Sequence, residues 1–315
     1  MSLKLMLGRH KFVPFFWTQF LGAFNDNFFK NALVVLVAFR GIQLFGMDSG
    51  SLVALASGLF ILPFFIFSPL AGQLSDKFEK SFIIRQVKLL EILIMLVAAL
   101  GFYLGSYTLI LGVLFLMGTQ SAFFGPVKYS LIPELVPSDE LTKGNAFIEL
   151  GTFLAILLGT ILGGLVTAHP MADILIGGGL ICIAVAGYLT SRSVSQSSSG
   201  DPSLHISYNP FSEYKSLWLL IRKQTAIFNA IIAISWFWFF GAGILSVLPI
   251  YVREYLMGNE QVVTLFLAMF TIGIACGSIL CEKMSHKRVE IGLVPIGSIG
   301  MSLALLDLCL QGLPW

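Results

Sequence analysis

Gly72-Gln-Leu-Ser-Asp76-Lys77-Phe78-Glu79-Lys80 joins two apolar runs, and Gly277-Ser-Ile-Leu-Cys-Glu282-Lys283-Met284-Ser-His-Lys287-Arg288 does the same further on, with Glu282 206 positions after Asp76. Each passes from a small-residue helix end into an acid, a base, an apolar residue and further bases. A charged loop that recurs at matching places in two halves of a chain is what a parallel repeat would produce. An acid at a helix end pairs with a neighbouring cation or caps an adjacent helix N-terminus, and so latches two helices in one state. Gly72, Asp76, Lys77, Lys80, Glu282 and Lys283 are therefore the expected gating-loop residues. An ordinary solvated loop is the plain alternative for either copy taken alone.

Outward from these loops the chain is apolar. Its 315 residues are 57% hydrophobic and 11% charged, with a mean hydropathy of +0.88. Soluble chains carry about 25% charged residues. Nineteen cations and seventeen acids cannot cover the surface of a soluble globule of this size, and the same apolar excess excludes disorder. A net charge of +2 excludes a strongly basic nucleic-acid binder, so no nucleic-acid partner is expected. The chain is predicted to lie in a bilayer, in contact with membrane lipids.

A helix needs about 20 mostly apolar residues to cross the hydrocarbon core. Runs at 12–39, 51–74, 83–103, 106–125, 146–168, 171–190, 225–250, 260–281 and 289–310 predict nine spans. With the N-terminus in the cytoplasm, sixteen of the nineteen cations fall on the cytoplasmic side. Arg40 and Arg253 fall opposite, and Lys30 lies inside a span. That asymmetry is a strong orientation signal. Small-residue pairs at Gly159/Gly163 and Gly273/Gly277 predict close helix contacts. Cys182, Cys276, Cys281 and Cys309 sit in apolar stretches without metal-ligand spacing and read as small buried hydrophobes.

Between the sixth and seventh runs, seven of the thirteen residues from Ser191 to Ser203 are serine, the composition of a flexible linker. A short amphipathic helix on the membrane face is predicted over 211–223. The expected organisation is a six-helix bundle over 1–190, a cytoplasmic linker over 191–224, and a three-helix partial bundle over 225–315.

Gly72-x-x-x-Asp76-Lys77 resembles the signature loop of the major facilitator superfamily, with Glu79 where a second glycine is usual. Two longer stretches resemble its bacterial lysophospholipid transporter branch. They are Gln19-Phe-Leu-Gly-Ala-Phe-Asn25-Asp26-Asn27-Phe-Phe-Lys30-Asn31-Ala-Leu and Gly118-Thr-Gln120-Ser-Ala-Phe-Phe-Gly125-Pro126-Val-Lys128-Tyr129-Ser-Leu-Ile-Pro133. The same arrangement occurs in fusions with an acyltransferase and an acyl-acyl-carrier-protein synthetase. The resemblance implies an all-α polytopic membrane protein with the major facilitator fold. Because that fold has twelve helices, nine spans imply a C-terminal bundle three helices short. The resemblance also implies inward movement of lysophospholipids such as lysophosphatidylethanolamine across a bacterial inner membrane, by alternating access. Re-acylation would then fall to a cytoplasmic acyltransferase partner, separate or fused. A drug or solute exporter, and a non-transporting anchor for a fused lipid enzyme, are the alternatives.

Charges within spans are costly and face a cavity or a partner. Asp26 and Lys30 are four apart, share one helix face and can pair; Asn25, Asn27 and Asn31 surround them. The functional reading gives Asp26 a cationic headgroup or coupling ion, with Lys30 reaching a phosphate or releasing Asp26 during the cycle. The bland reading is a structural ion pair. Gln120 is a candidate headgroup contact or a helix–helix hydrogen bond, and Glu149 a cavity acid or an interface residue. Glu91, three residues after Lys88, reads as an interface pair, and Lys128 as a cytoplasmic cation. The aromatic runs 15–17 and 236–240 read as lipid-facing or core packing before they read as an acyl path. The four histidines share no metal-ligand spacing, and no nucleophile elbow, phosphate-binding glycine loop or acyltransferase motif is present. No enzymatic activity, cofactor or metal is expected.

Overall fold

The computed structural model describes residues 11–197, 200–258, 260–285 and 290–311. His10, the His286-Lys287-Arg288 end of the second charged loop and residues 312–315 lie outside them. The described residues fall into two compact units, Met1–Pro210 and Phe211–Trp315.

The first unit holds six long helices: α1 (Phe12–Phe39), α2 (Ser49–Lys77), α3 (Lys80–Tyr103), α4 (Tyr107–Leu135), α5 (Leu141–Val166) and α6 (Ala172–Arg192). Sequence chemistry sets several ends. The Asp48 side chain caps α2 by accepting from Ser51 N at 3.1 Å, and Glu79 caps α3. Pro63 and Pro69 lie inside α2, and Pro126 and Pro133 inside α4. Membrane helices tolerate such prolines because neighbouring groups satisfy the freed carbonyls. The fourth span accordingly runs about three turns past the expected end at residue 125 and carries Lys128 with it.

Six helical segments are apolar and long enough to cross a membrane by themselves: α2, α4, α5 with its preceding 3-10 turn, α6 and two in the second unit. A seventh results if a bent pair there counts as one span. Six or seven such segments among the described residues accord with the expected all-α polytopic membrane protein. Nine helices of 19 residues or more exist among the described residues, but α1 and α3 are not among the apolar ones. These two carry much of the bundle's polar content: Asn25, Asp26, Asn27, Lys30 and Asn31 on α1, and Lys80, Arg85, Lys88 and Glu91 on α3.

α1 packs chiefly on α5 and α6, α2 on α4, and α3 on α6 and α4. The α1–α5 approach is close because α5 presents glycine there. A Cβ at Gly159 would sit 2.5 Å from Phe24 O, and one at Gly163 2.5 Å from Phe28 O. Two apolar cores result. One joins Phe28, Phe29 and Leu33 to Ile94, Met95, Leu114 and Met117; the other joins Phe12 and Phe15 to Ile84, Val127, Leu131 and Ile148. Between them, on α1, α3 and α4 alike, comes a buried polar layer of Asn25, Lys88, Glu91 and Gln120.

The 194–207 segment is not a free linker. It is hydrogen-bonded along the α2–α3 turn, as detailed below. The second unit comprises α7 (Pro210–Arg222), α8 (Thr225–Glu254), α9 (Glu260–Met284) and α10 (Leu293–Gln311). The amphipathic α7 has no buried residue, and Trp218 meets Phe228 of α8 edge-on. Tyr251 Oη donates to Leu308 O at 2.8 Å. Trp236, Trp238 and Phe239 point outward. Two expectations are corrected. Among the described residues of the second unit, no atom lies within 4 Å of a Cβ at Gly273 or Gly277, so the pair marks no close helix contact there. All four cysteines are exposed on helix faces rather than buried.

Candidate functional site

A cavity of about 300 Å³ opens in the first unit where α1, α2, α3, α4 and α5 meet. Its polar lining includes Gln19, Asp26, Asn27, Lys88, Gln120, Ser121, Lys128 and Thr152, and its apolar wall Phe60, Phe64, Phe124 and Ile156. That size is at the low end of small-molecule pockets, which run from about 300 to 1,000 Å³.

Asp26 Oδ2 accepts from Ser121 Oγ at 2.7 Å. The pair expected with Lys30 is not formed. Lys30 lies one turn further on with its Nζ 5.5 Å from the Phe60 ring centroid, and is not part of the lining. The Phe60 ring face gives the cation a partner. Asn27 lines the cavity but donates to Ala23 O of its own helix at 2.8 Å. Asn31 donates to Thr160 O at 2.7 Å and so ties α1 to α5. Glu149 lies outside the lining and accepts from Tyr129 Oη at 2.9 Å. Of the expected substrate residues, the structure brings Asp26, Asn27 and Gln120 together at the cavity. Asn25, Lys30, Asn31 and Glu149 support it from outside.

Two lysines complete the cavity that sequence reasoning placed elsewhere. Lys128 Nζ donates to Thr152 Oγ1 at 2.9 Å and lies 5.1 Å from the Tyr129 ring centroid. Lys88 pairs with Glu91 at 2.6 Å, both side chains 1% exposed, so this pair is buried rather than interfacial. Glu91 Oε1 accepts from Asn25 at 2.9 Å, and Oε2 also accepts from Gln120 at 3.3 Å. Glycine at position 22 leaves room for the Lys88 ammonium, against which a Cβ there would collide.

At the charged loop, Asp76 is exposed, and its backbone O accepts from Asp201 N at 2.9 Å. Open space surrounds Gly72. Lys77 Nζ donates to Leu204 O at 2.8 Å, and Lys80 pairs with Glu134 of α4 at 2.6 Å. Glu282 and Lys283 occupy the last turn of α9. The centre of the first loop is Glu79, the residue that departs from the usual glycine. Its carboxylate accepts from Ser81 N, Phe82 N and Ser81 Oγ, and from Ser197 N and Oγ at 2.8 and 2.9 Å. Gln73 exchanges hydrogen bonds with the Ser207 backbone, and Gly200 lies directly against the Lys77 carbonyl. The described residues of this segment, up to 197 and from 200 to 207, thus form a strap across the α2–α3 turn.

Burial alone would raise the Glu79 acid, but the hydrogen bonds from Ser197 and Ser81 outweigh it and hold the group at about 2, below its ordinary 4.5. A depressed carboxylate contributes stability that is complete above the ordinary value and lost as pH falls through the folded one. The strap is therefore expected to stay docked at neutral pH and to loosen between about 4.5 and about 2. Glu79→Gln, which retains shape but loses charge, is expected to raise protease cleavage within 194–207 several-fold at pH 7. A wild-type cleavage rate in the variant would show that the carboxylate does not hold the strap.

A helical membrane bundle with charged and amide side chains gathered between two apolar cores has the architecture of a membrane carrier. The family model of the Major Facilitator Superfamily matches residues 12–315, and the chain belongs to that superfamily. It is accordingly a multi-pass transporter-family protein and not an enzyme. Among curated proteins it is similar to the Lysophospholipid transporter LplT of Serratia proteamaculans (strain 568), 27% identical over 300 residues that cover 92% of this chain and 70% of that one. The protein of the same name from Enterobacter sp. (strain 638) is 26% identical over 296 residues, covering 89% and 67%. That of Klebsiella pneumoniae (strain 342) is 28% identical over 288 residues, with the same coverage.

Proposed function

We propose that this chain moves lysophospholipids, such as lysophosphatidylethanolamine, across a bacterial inner membrane toward the cytoplasmic leaflet by alternating access. The observation that carries the reading is one cavity lined by Asp26 and Lys128 together with the aromatic side chains of Phe60, Phe64 and Phe124. A zwitterionic headgroup offers an ammonium to the carboxylate and a phosphate to the lysine, while an acyl chain prefers the aromatic side. The names of the similar transporters support the same substrate class. Asn27, Gln120 and Ser121 would complete the headgroup contacts, with Asn25, Lys30, Asn31 and Glu149 holding the helices that carry them.

The orientation proposed has the N-terminus in the cytoplasm. Lys88 and Lys128 leave the cytoplasmic tally because they lie inside the bundle, which still leaves fourteen cations against Arg40 and Arg253. The strapped loop with Asp76 and Glu79 then lies on the cytoplasmic side, where it and the Glu282–Lys283 helix end would gate the cycle. A cytoplasmic acyltransferase, separate or fused, would consume the lipid delivered.

Spheroplasts producing the protein are expected to take up labelled lysophosphatidylethanolamine and expose it to the inner leaflet. Drug efflux without lipid uptake would replace this reading with that of an exporter. Lys128→Met, which retains the stem and removes the ammonium, is expected to raise the KM for lysophosphatidylethanolamine by roughly tenfold, the scale of one lost charge-assisted hydrogen bond. An unchanged KM would remove Lys128 from the headgroup site.

A further inference from the structure

Three cations and three acids surround this cavity: Lys30, Lys88 and Lys128 with Asp26, Glu91 and Glu149. Their formal charges cancel, but they are not equally available. Asp26, Lys88 and Lys128 line the cavity, whereas Glu91 lies behind it. Every group that Glu91 holds belongs to the polar layer. Lys88 Nζ is 2.6 Å from Oε2, Gln120 Nε2 is 3.3 Å from the same oxygen, and Asn25 Nδ2 is 2.9 Å from Oε1. A buried pair with this many hydrogen bonds is retained as a unit, and removing one partner leaves the other charge uncompensated. The Lys88 ammonium also lies 5.5 Å from the Phe124 ring centroid and is packed against Gly22, which fixes its position.

We propose that Glu91 is a specificity-determining positioning residue: by neutralising Lys88 from behind the cavity, it keeps the site electrically matched to a headgroup of zero net charge. This rests on the lysophospholipid reading above. With Glu91 paired to Lys88, a ligand meets one effective acid, Asp26, and one effective cation, Lys128. Without it, Lys88 becomes a second cation in the lining, and the site gains a net positive charge. A headgroup carrying phosphate alone, as in lysophosphatidylglycerol, then gains relative to one carrying phosphate and ammonium. Glu91 itself touches no ligand; it acts through Lys88 and Gln120.

The test is paired uptake of labelled lysophosphatidylethanolamine and lysophosphatidylglycerol by proteoliposomes carrying the full chain. In Glu91→Gln the ratio of anionic to zwitterionic uptake is expected to rise by roughly tenfold, well within what one unscreened charge in a partly buried site supplies. Glu91→Asp, which retains the charge, is expected to stay near the wild-type ratio. The double variant Lys88→Met with Glu91→Gln removes both charges and is expected to return the ratio to within about twofold of wild type, whatever its overall rate. An unchanged ratio in Glu91→Gln, or an elevated one in the double variant, overturns the proposal. Should Glu91→Gln fail to fold with its unpaired buried lysine, Lys88→Met decides: with Glu91 left unbalanced the ratio is expected to fall by roughly tenfold, and an unchanged or raised ratio overturns the proposal. Wild-type protein that carries neither lipid overturns the lysophospholipid reading itself, a result distinct from an unshifted ratio.

Discussion

Lysophosphatidylethanolamine uptake is expected to fall by about 100-fold in Asp26→Ala, the scale of truncating one partner of a buried charge pair. Asp26 is the one carboxylate lining the cavity among the described residues, and its Ser121 hydrogen bond holds it to α4 across from its own helix. A headgroup ammonium leaving water for this site has no other acid to meet. Alanine removes the charge and the Ser121 acceptor together, so Asp26→Asn separates the two. The amide oxygen still accepts from Ser121 and preserves the α1–α4 contact, yet carries no charge. If the carboxylate binds ligand, Asn is nearly as damaging as Ala while the protein's thermal midpoint stays close to wild type. Were the role structural, Asn would restore most uptake, and Ala would show its defect in the melting curve as well. Wild-type uptake in the alanine variant would remove Asp26 from the site altogether.

The sequence disclosed the elements better than their depth. Apolar runs of about 20 residues located the long helices, because the bilayer imposes length and hydrophobicity on each segment separately. Depth depends on neighbours. Lys88 and Glu91 are three apart on one helix, so their pairing was legible. Their burial was not, since Lys80 and Arg85 lead into them from a charged turn. Lys128 was misplaced for a related reason. Pro126 two residues before it suggested a helix end, whereas α4 passes through both prolines in the shelter of its neighbours. Composition also misjudged the serine-rich strap, which would be flexible in isolation. It is held by Glu79, a residue that stood out in the sequence only as a departure from glycine, and the Ser197 contacts that explain it span 118 positions.

The same distinction between local pattern and neighbourhood predicts opposite signs for one substitution at two glycines. Gly163 and Gly273 both occur as the small residue of a four-spaced pair in an apolar helix, and sequence alone gives them the same reading. In a helix interior, alanine is better than glycine by about 1 kcal/mol, so a glycine with free space gains from the exchange. A Cβ at Gly273 meets nothing within 4 Å, and Gly273→Ala is expected to leave the thermal midpoint in detergent unchanged or to raise it by a few degrees. A Cβ at Gly163 lies 2.5 Å from Phe28 O, with Ala32 N and the Phe28 Cα at 3.2 Å. Those are backbone atoms, so no rotamer change relieves the clash, and α1 must move away from α5. The separation loosens the Asn31 bond to Thr160 O and the apolar core around Phe28 and Phe29. The resulting loss, of order 2–3 kcal/mol, exceeds the propensity gain, and Gly163→Ala is expected to lower the midpoint by roughly 5–10 °C. Fluorescence-detected melting of the two variants side by side measures the difference directly. Equal shifts of the same sign would mean that the α1–α5 seam does not depend on the close approach at Gly163, and that glycine serves there only as it does at any open helix position.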